Sequence, residues 1–252
     1  MEIDIANEDC IHGLSTLDDK SVDFAFIDPP YNVGKDYGEY KDNLPEEEYI
    51  EMIKNVIYHF KRITKKGFAV YTDWKHFKQF WDMIPEAESI IIFKRSSGVI
   101  YSPLKIVQHH HIILVTAKCL KQNLKSVWDD IRLLGEGYLF NEERFGNHPA
   151  QTSLKATKRI IEYFTEEGDY IVDCFNGIGT TSTACKQLNR NCIAFEINHE
   201  YCKIAKERLN QESVSNFNLV KQESLISVKR ESADSQNSPH DSSTIKEEAN
   251  FS

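Results

Sequence analysis

The stretch from Tyr170 to Glu196 constrains this chain most. Tyr170-Ile171-Val172-Asp173 is a short apolar strand, Asp173 to Thr181 is a turn holding Gly177 and Gly179, Thr180 to Leu188 reads as a helix, and Cys192 to Glu196 as a second strand. Glycines between a strand and a helix let the backbone turn tightly and approach a ligand with no Cβ in the way. Glu196 ends the second strand near the ~20-residue offset at which an acid can accept hydrogen bonds from a ribose. A glycine pair alone is more often a plain turn. Strand, glycine turn, helix, strand and terminal acid together point to a nucleoside cofactor.

The same alternation runs through the rest of the body. Val22 to Ile27 reads as a buried strand ending at Asp28, followed by a loop rich in turn formers from Pro29 to Pro45. From Glu46 to Lys66, apolar residues at Tyr49, Ile50, Ile53, Val56, Ile57, Phe60 and Ile63 keep helical spacing. Lys66-Gly67 is expected to end that helix, and Phe68 to Tyr71 to return as a strand. Ser89 to Phe93 and His111 to Thr116 are further strands, and Leu154 to Thr165 and His199 to Leu209 further helices. This order predicts an α/β fold with a mostly parallel sheet covered by helices. Between Cys119 and Pro149 the periodicity fades, which marks an irregular, functional insertion.

Charge is distributed unevenly. The net charge is −9, which taken whole argues against a phosphate-bearing partner. Lys94 to Arg132, however, holds seven Lys/Arg against two acids and also His109 to His111. A basic segment on an acidic body suits limited contact with DNA, although a merely solvated surface would have the same charges. Three adjacent histidines in a strand point to alternate faces and rarely converge on one ion, so no metal is expected. Trp128 lies in the basic segment and is the better nucleic-acid contact; packing is expected for Trp74 and Trp81. After Leu209 the composition turns serine-rich, with ten serines from Gln211 to Ser252 and few large apolar residues. Such a tail buries too little surface to order itself. The six cysteines form no Cys-x-x-Cys pair, and no apolar run is long enough to span a bilayer. The expected address is intracellular with no membrane partner: the cytoplasm if the source is bacterial or viral. Three apolar-Lys-x-Glu patterns in the tail, at Lys221, Lys229 and Lys246, would fit a nucleus instead.

Asp28-Pro29-Pro30-Tyr31 follows a strand directly, where open α/β sheets bind ligands. The prolines fix φ and remove two donors, leaving a stiff loop that presents carbonyl acceptors. The Asp28 carboxylate and the Pro29 carbonyl could accept both hydrogens of an exocyclic amine, turning its lone pair toward a methyl donor. Tyr31 offers an aromatic face for a flipped base. Asp173 suits a cationic amino group better than a pyrophosphate, which favours S-adenosylmethionine over a nicotinamide cofactor.

On these residues the chain resembles the amino-methyltransferases of DNA, in the permuted class whose catalytic motif precedes the cofactor loop. The resemblance covers roughly residues 1 to 210. Asp28 to Asn32 matches the catalytic motif, Asp173-x-Phe175-x-Gly177-x-Gly179-Thr180-Thr181 the cofactor loop, and Glu196 its ribose acid. Asn7-Glu8-Asp9-Cys10 resembles a segment beside the cofactor adenine. His148-Pro149-Ala150-Gln151 resembles one beside the methionine end. Cys174 and Ile178 depart from the usual proline and serine. The resemblance implies a Rossmann-like methyltransferase fold with helices on both faces of the sheet. It implies S-adenosylmethionine held by Asp9, Cys10, His148, Gln151, Asp173, Phe175, Gly177, Gly179, Thr180, Thr181 and Glu196. Catalysis would fall to Asp28, Pro29, Pro30 and Tyr31.

The resemblance also implies a target-recognition insertion over residues 93–147, where Lys94, Arg95, Lys105, Lys121, Lys125 and Trp128 are the candidate DNA contacts. Residues 1–210 would form the catalytic domain and 211–252 the disordered tail. The expected activity is methylation of adenine N6 in DNA by base flipping. Cytosine N4 and a non-catalytic regulator of the same fold are the alternatives. Besides DNA, the candidate partners are a second copy, a partner subunit and a restriction endonuclease.

Overall fold

A computed structural model describes residues 1–93, 99–100, 107–108, 110–121, 124–131, 145 and 148–211. Lys94, Arg95, Lys105, most of residues 132–147 and the serine-rich tail with its lysine patterns lie outside them. The first half contains β1 (Ile3–Asn7), α1 (Cys10–Ser15), β2 (Val22–Ile27), β3 (Asp36–Tyr37), β4 (Tyr40–Lys41), α2 (Glu46–Ile63), β5 (Thr64–Thr72) and α3 (Phe77–Met83). Then come β6 (Glu88–Phe93), β7 (Val99–Ile100), β8 (Val107–Gln108), β9 (His110–Val115) and β10 (Val127–Trp128). The cofactor half has α4 (Leu154–Phe164), β11 (Tyr170–Asp173), α5 (Thr180–Gln187) and β12 (Asn191–Glu196), and residues 199–211 form a last helix, α6.

Eight strands make one sheet in the order β1-β12-β11-β2-β5-β9-β6-β10, and β9 alone runs against its neighbours. Strand residues alternate between the two faces, as a pleated backbone requires. In β2 and β5, Phe24, Phe26, Ala69 and Tyr71 meet α4, α5 and α6, while Ala25, Ile27, Phe68 and Val70 meet α1, α2 and α3. Both faces are therefore covered by helices. The stripe on α2 is the one its spacing predicts: Tyr49, Ile53, Val56, Ile57, Phe60 and Ile63 are buried. On the other face Phe24 stacks on Phe164 with ring centroids 6.0 Å apart. Each such buried aromatic contributes roughly 1.5–3 kcal/mol of transfer free energy.

Helix α2 ends three residues before the expected Lys66. Thr64 is already extended, and its hydroxyl donates back to the Phe60 carbonyl at 2.7 Å, closing the helix end. Lys65 and Lys66 belong to β5, where they pair with Asp23 and Asp169 at the sheet rim. No helix among the described residues is long and apolar enough to cross a membrane.

From β2 the chain leaves through α2 toward β5, and from β11 through α5 toward β12 on the other side. β2 and β11 are neighbours, so the strand order reverses between them. A crevice opens at such a switch point, outside the carboxyl ends of the strands.

Candidate active site

A solvent-open cleft of about 760 Å³ lies there, lined by Asp9, Cys10, Asp28, Pro29, Pro30, Tyr31, His148, Phe175, Gly177 and Glu196 among the residues singled out from sequence. Gly179, Thr180 and Thr181 stand just behind the lining, at the start of α5. Asp173 is also behind it, buried, with its carboxylate accepting the Phe175 N–H at 2.9 Å. Gln151 does not line the cleft; its amide oxygen accepts the Phe145 N–H at 2.9 Å.

The glycine turn is shaped by backbone demands. Gly177 has φ +51°, and a Cβ there would stand 3.2 Å from His148 Nε2. Gly179 has φ +83°, and a Cβ there would come within 2.9 Å of Ala205 on α6. Both positions exclude a side chain, one on the cleft side and one on the packing side. Glu196 fixes the turn from below, taking the Gly177 N–H on Oε2 at 2.7 Å and the Asn198 N–H on Oε1 at 2.8 Å. Asp9 caps α1 by accepting the Ile11 and His12 N–H groups.

S-adenosylmethionine carries two positive groups, and the cleft suits them. Burial, with added repulsion from Glu196 and Asp28, pushes the Asp173 carboxyl up to about 7. Burial likewise raises Glu196 and Asp28 above the usual carboxylate range. Three crowded carboxyls that resist ionisation are stabilised by a cation. His148 has the opposite shift. Burial and the Lys35 charge lower it to about 4, so it is neutral near pH 7. Its Nδ1 accepts the Ala150 N–H at 3.2 Å, which leaves the proton on Nε2, facing Gly177.

Asp28 is held on both oxygens. Oδ1 accepts the Tyr31 hydroxyl and Oδ2 the Thr152 hydroxyl, the latter at 2.7 Å. Thr152, one residue beyond the His148–Gln151 segment, had no signal of its own in the sequence.

Asp42 was missed too. It is 2% exposed, and its carboxylate accepts the N–H groups of Asn32 (2.7 Å), Val33 (3.1 Å) and Lys35 (3.0 Å), the turn that follows Tyr31. Truncation to Asp42→Ala would leave those donors without partners, at about 1–3 kcal/mol for a buried group. We expect turnover to fall roughly 10- to 100-fold, with a lowered melting temperature and unchanged cofactor affinity. An unaltered kcat would show that the turn does not position Asp28.

Tyr37 and Tyr40 on the β3–β4 hairpin, with Tyr201, also enter the lining unannounced. Tyr37 and Tyr201 flank the His148 ring at 5.6 and 4.8 Å. The hairpin is tied down by the Asn198 amide, which donates to the Tyr37 carbonyl at 2.9 Å.

The expected DNA contacts fare differently. Trp128 is 2% exposed: its indole N–H donates to the Lys125 carbonyl, and the Arg159 guanidinium lies 4.9 Å from its ring. It packs β10 onto α4 and presents no open face. Lys121 pairs with Glu162 beside the Tyr163 ring, while Lys125 is exposed.

Residues 22–207 match the DNA methylase family. The Type II methyltransferase M.HpaI of Haemophilus parainfluenzae is 30% identical over 233 residues, covering 80% of this chain and 72% of that protein. The DNA adenine methyltransferase YhdJ of Escherichia coli (strain K12) is 28% identical over 246 residues, 82% of each. In fold, the M1.HpyAVI–SAM complex matches with a TM-score of 0.59 at 24% identity, over 82% of this chain and 99% of that one. The cytosine-N4-specific PvuII DNA methyltransferase matches at 0.63 and 18% identity, over 82% and 86%. With a match across most of its length and a cleft suited to the donor, this chain belongs to the DNA methylase family, the S-adenosylmethionine-dependent amino-methyltransferases of DNA.

Proposed function

We propose that this protein methylates the N6 amine of adenine in DNA, on a base flipped out of the duplex into the cleft. The observation that carries the reading is the Asp28 carboxylate, in the cleft wall and held by Tyr31 and Thr152. An aspartate in this position is the form the adenine enzymes of the family favour, and one relative over most of both chains is named for adenine.

When bound, S-adenosylmethionine supplies an electrophilic methyl group on a cationic sulfur. The chain's part is positioning and proton handling. Asp28 and the Pro29 carbonyl accept the two amine hydrogens and orient the nitrogen lone pair. The amine sheds one proton on methylation, and Asp28, whose proton affinity burial raises, is placed to take it. Tyr31 stacks on the base, and Glu196, Gly177, His148 and Asp9 hold the cofactor. In this reading residues 93–147 read the target sequence, and the protein works on the DNA of a bacterial cytoplasm, as its named relatives' sources favour.

The test is to incubate the protein with methyl-labelled cofactor and unmethylated genomic DNA, digest, and separate the nucleosides. Label in N6-methyladenine is expected. Label in N4-methylcytosine would overturn the base assignment.

A further inference from the structure

Trp74 stands two residues beyond β5 and is 57% exposed, although an indole is on average among the better buried side chains. Its ring is nevertheless braced. It stacks on Phe77 with centroids 6.1 Å apart and planes within 7°, and meets the His110 ring edge-on at 6.0 Å. Phe77 is itself packed against the α2 side of the core. Asp73 fixes the turn that carries the indole, accepting the His76 N–H at 2.9 Å and pairing with His76 Nδ1 at 2.7 Å. An exposed aromatic held this firmly is a platform.

Its place in the sheet says what it meets. β5 pairs in parallel with β2, Val70 opposite Ile27, so Asp73 and Trp74 leave the sheet beside the Asp28–Tyr31 loop. Burial and the Asp28 charge raise the proton affinity of Tyr31 most, and the Asp73 charge is close enough to add to it. On the other side β9 pairs with β5, Ile112 opposite Thr72, which brings His110 against the indole. His110 is the first residue of β9, downstream in sequence of Lys94, Arg95 and Lys105. Trp74 thus stands between the catalytic loop and the start of β9. The nearby acids already have partners: Glu46 pairs with Lys75 and His76, and Asp73 with His76.

We propose that Trp74 is a base-stacking residue, whose uncovered surface takes a DNA base neighbouring the one held at Asp28. Every base has a π-face, so such a contact adds affinity without demanding sequence. A braced ring gives it at little entropic cost. The inference rests on DNA as the substrate and is independent of whether adenine or cytosine is methylated.

The experiment compares wild type, Trp74→Ala and Trp74→Phe in two assays. In the first, label transfer to unmethylated genomic DNA is measured as a function of DNA concentration. Trp74→Ala should raise KM for DNA by about tenfold, Trp74→Phe much less, and neither should change the affinity for S-adenosylmethionine. In the second, a short mixed-sequence duplex is titrated against tryptophan fluorescence. Wild type should be quenched, and Trp74→Ala should lose most of that quench, because Trp128 is buried and Trp81 is half-buried against the core.

Equal KM and equal quench in wild type and Trp74→Ala would overturn the proposal. So would a Trp74→Ala variant that sediments at a lower mass than wild type, which would make this face a contact between copies. The titration reads duplex binding without turnover, so a failure of methylation itself is told apart from a failure of the stacking contact.

Discussion

Asp28→Ala should lower turnover by about 1,000-fold, the scale on which one preorganised group at a reacting centre acts, and leave S-adenosylmethionine affinity nearly untouched. The split follows from geometry. Asp28 follows β2 and is held by Tyr31 and Thr152, whereas the glycine turn follows β11 and Glu196 ends β12. Asp28→Asn keeps the volume but replaces one acceptor with a donor, and should lose nearly as much. The pH profile offers a second readout. In the proposed mechanism Asp28 works as a carboxylate, and burial raises its pKa, so activity should be present above that raised value and be lost as pH falls through it. The acid limb should stand above the ordinary carboxylate range near pH 4 and be absent from residual activity in the variants. Single-turnover rates and cofactor titrations check both. A parallel loss of cofactor affinity, or wild-type activity in Asp28→Ala, would sink the assigned role.

Gly177→Val should do the reverse. At φ +51° a β-branched residue is a backbone outlier, and the new Cβ would press on His148 Nε2 at 3.2 Å. The turn can relax only by withdrawing the Gly177 N–H from Glu196, which loosens the acid expected at the ribose. Strain of about 1–3 kcal/mol corresponds to roughly 10- to 100-fold weaker cofactor binding. Calorimetry with S-adenosylmethionine measures this directly. Saturating cofactor should restore much of the turnover, since Asp28 is undisturbed; failure of any concentration to restore it would mean that the turn also shapes the catalytic loop.

Both predictions use residues that stand out in the sequence, because the pattern around each is local. Gly177 and Glu196 announce themselves by a strand, a turn and a second strand in succession. The stripe on α2 follows from helical spacing alone. What escaped reading depends on contacts across sequence. Asp42 looks like one more loop acid until its carboxylate is seen gathering N–H groups seven to ten residues away. Thr152 reaches Asp28 across 124 positions. The two-residue strands β3 and β4 are too short to carry a period, and Lys66-Gly67 resembled a helix end because the acids that hold Lys65 and Lys66 at the sheet rim, Asp23 on β2 and Asp169 just before β11, are distant in sequence. The two tryptophans exchanged expectations: basic neighbours suggested an open Trp128, yet the indole at the surface is Trp74. Composition near a residue does not say which way it faces.

The reversed direction of β9 has a consequence for how such a scaffold can diversify. Phe93 at the end of β6 lies opposite His110 at the start of β9, so the intervening chain leaves and rejoins the sheet at one rim, the rim of the catalytic loop. A β9 parallel to its neighbours would have had to begin at the far rim. With both ends anchored in a ladder, insertions or wholesale replacement between them alter loop closure by only about 0.6 kcal/mol per doubling of length. The strands beneath keep their register. If residues 93–147 read the target, as proposed, that reading can thus be rewritten while the chemistry next to it stays in place.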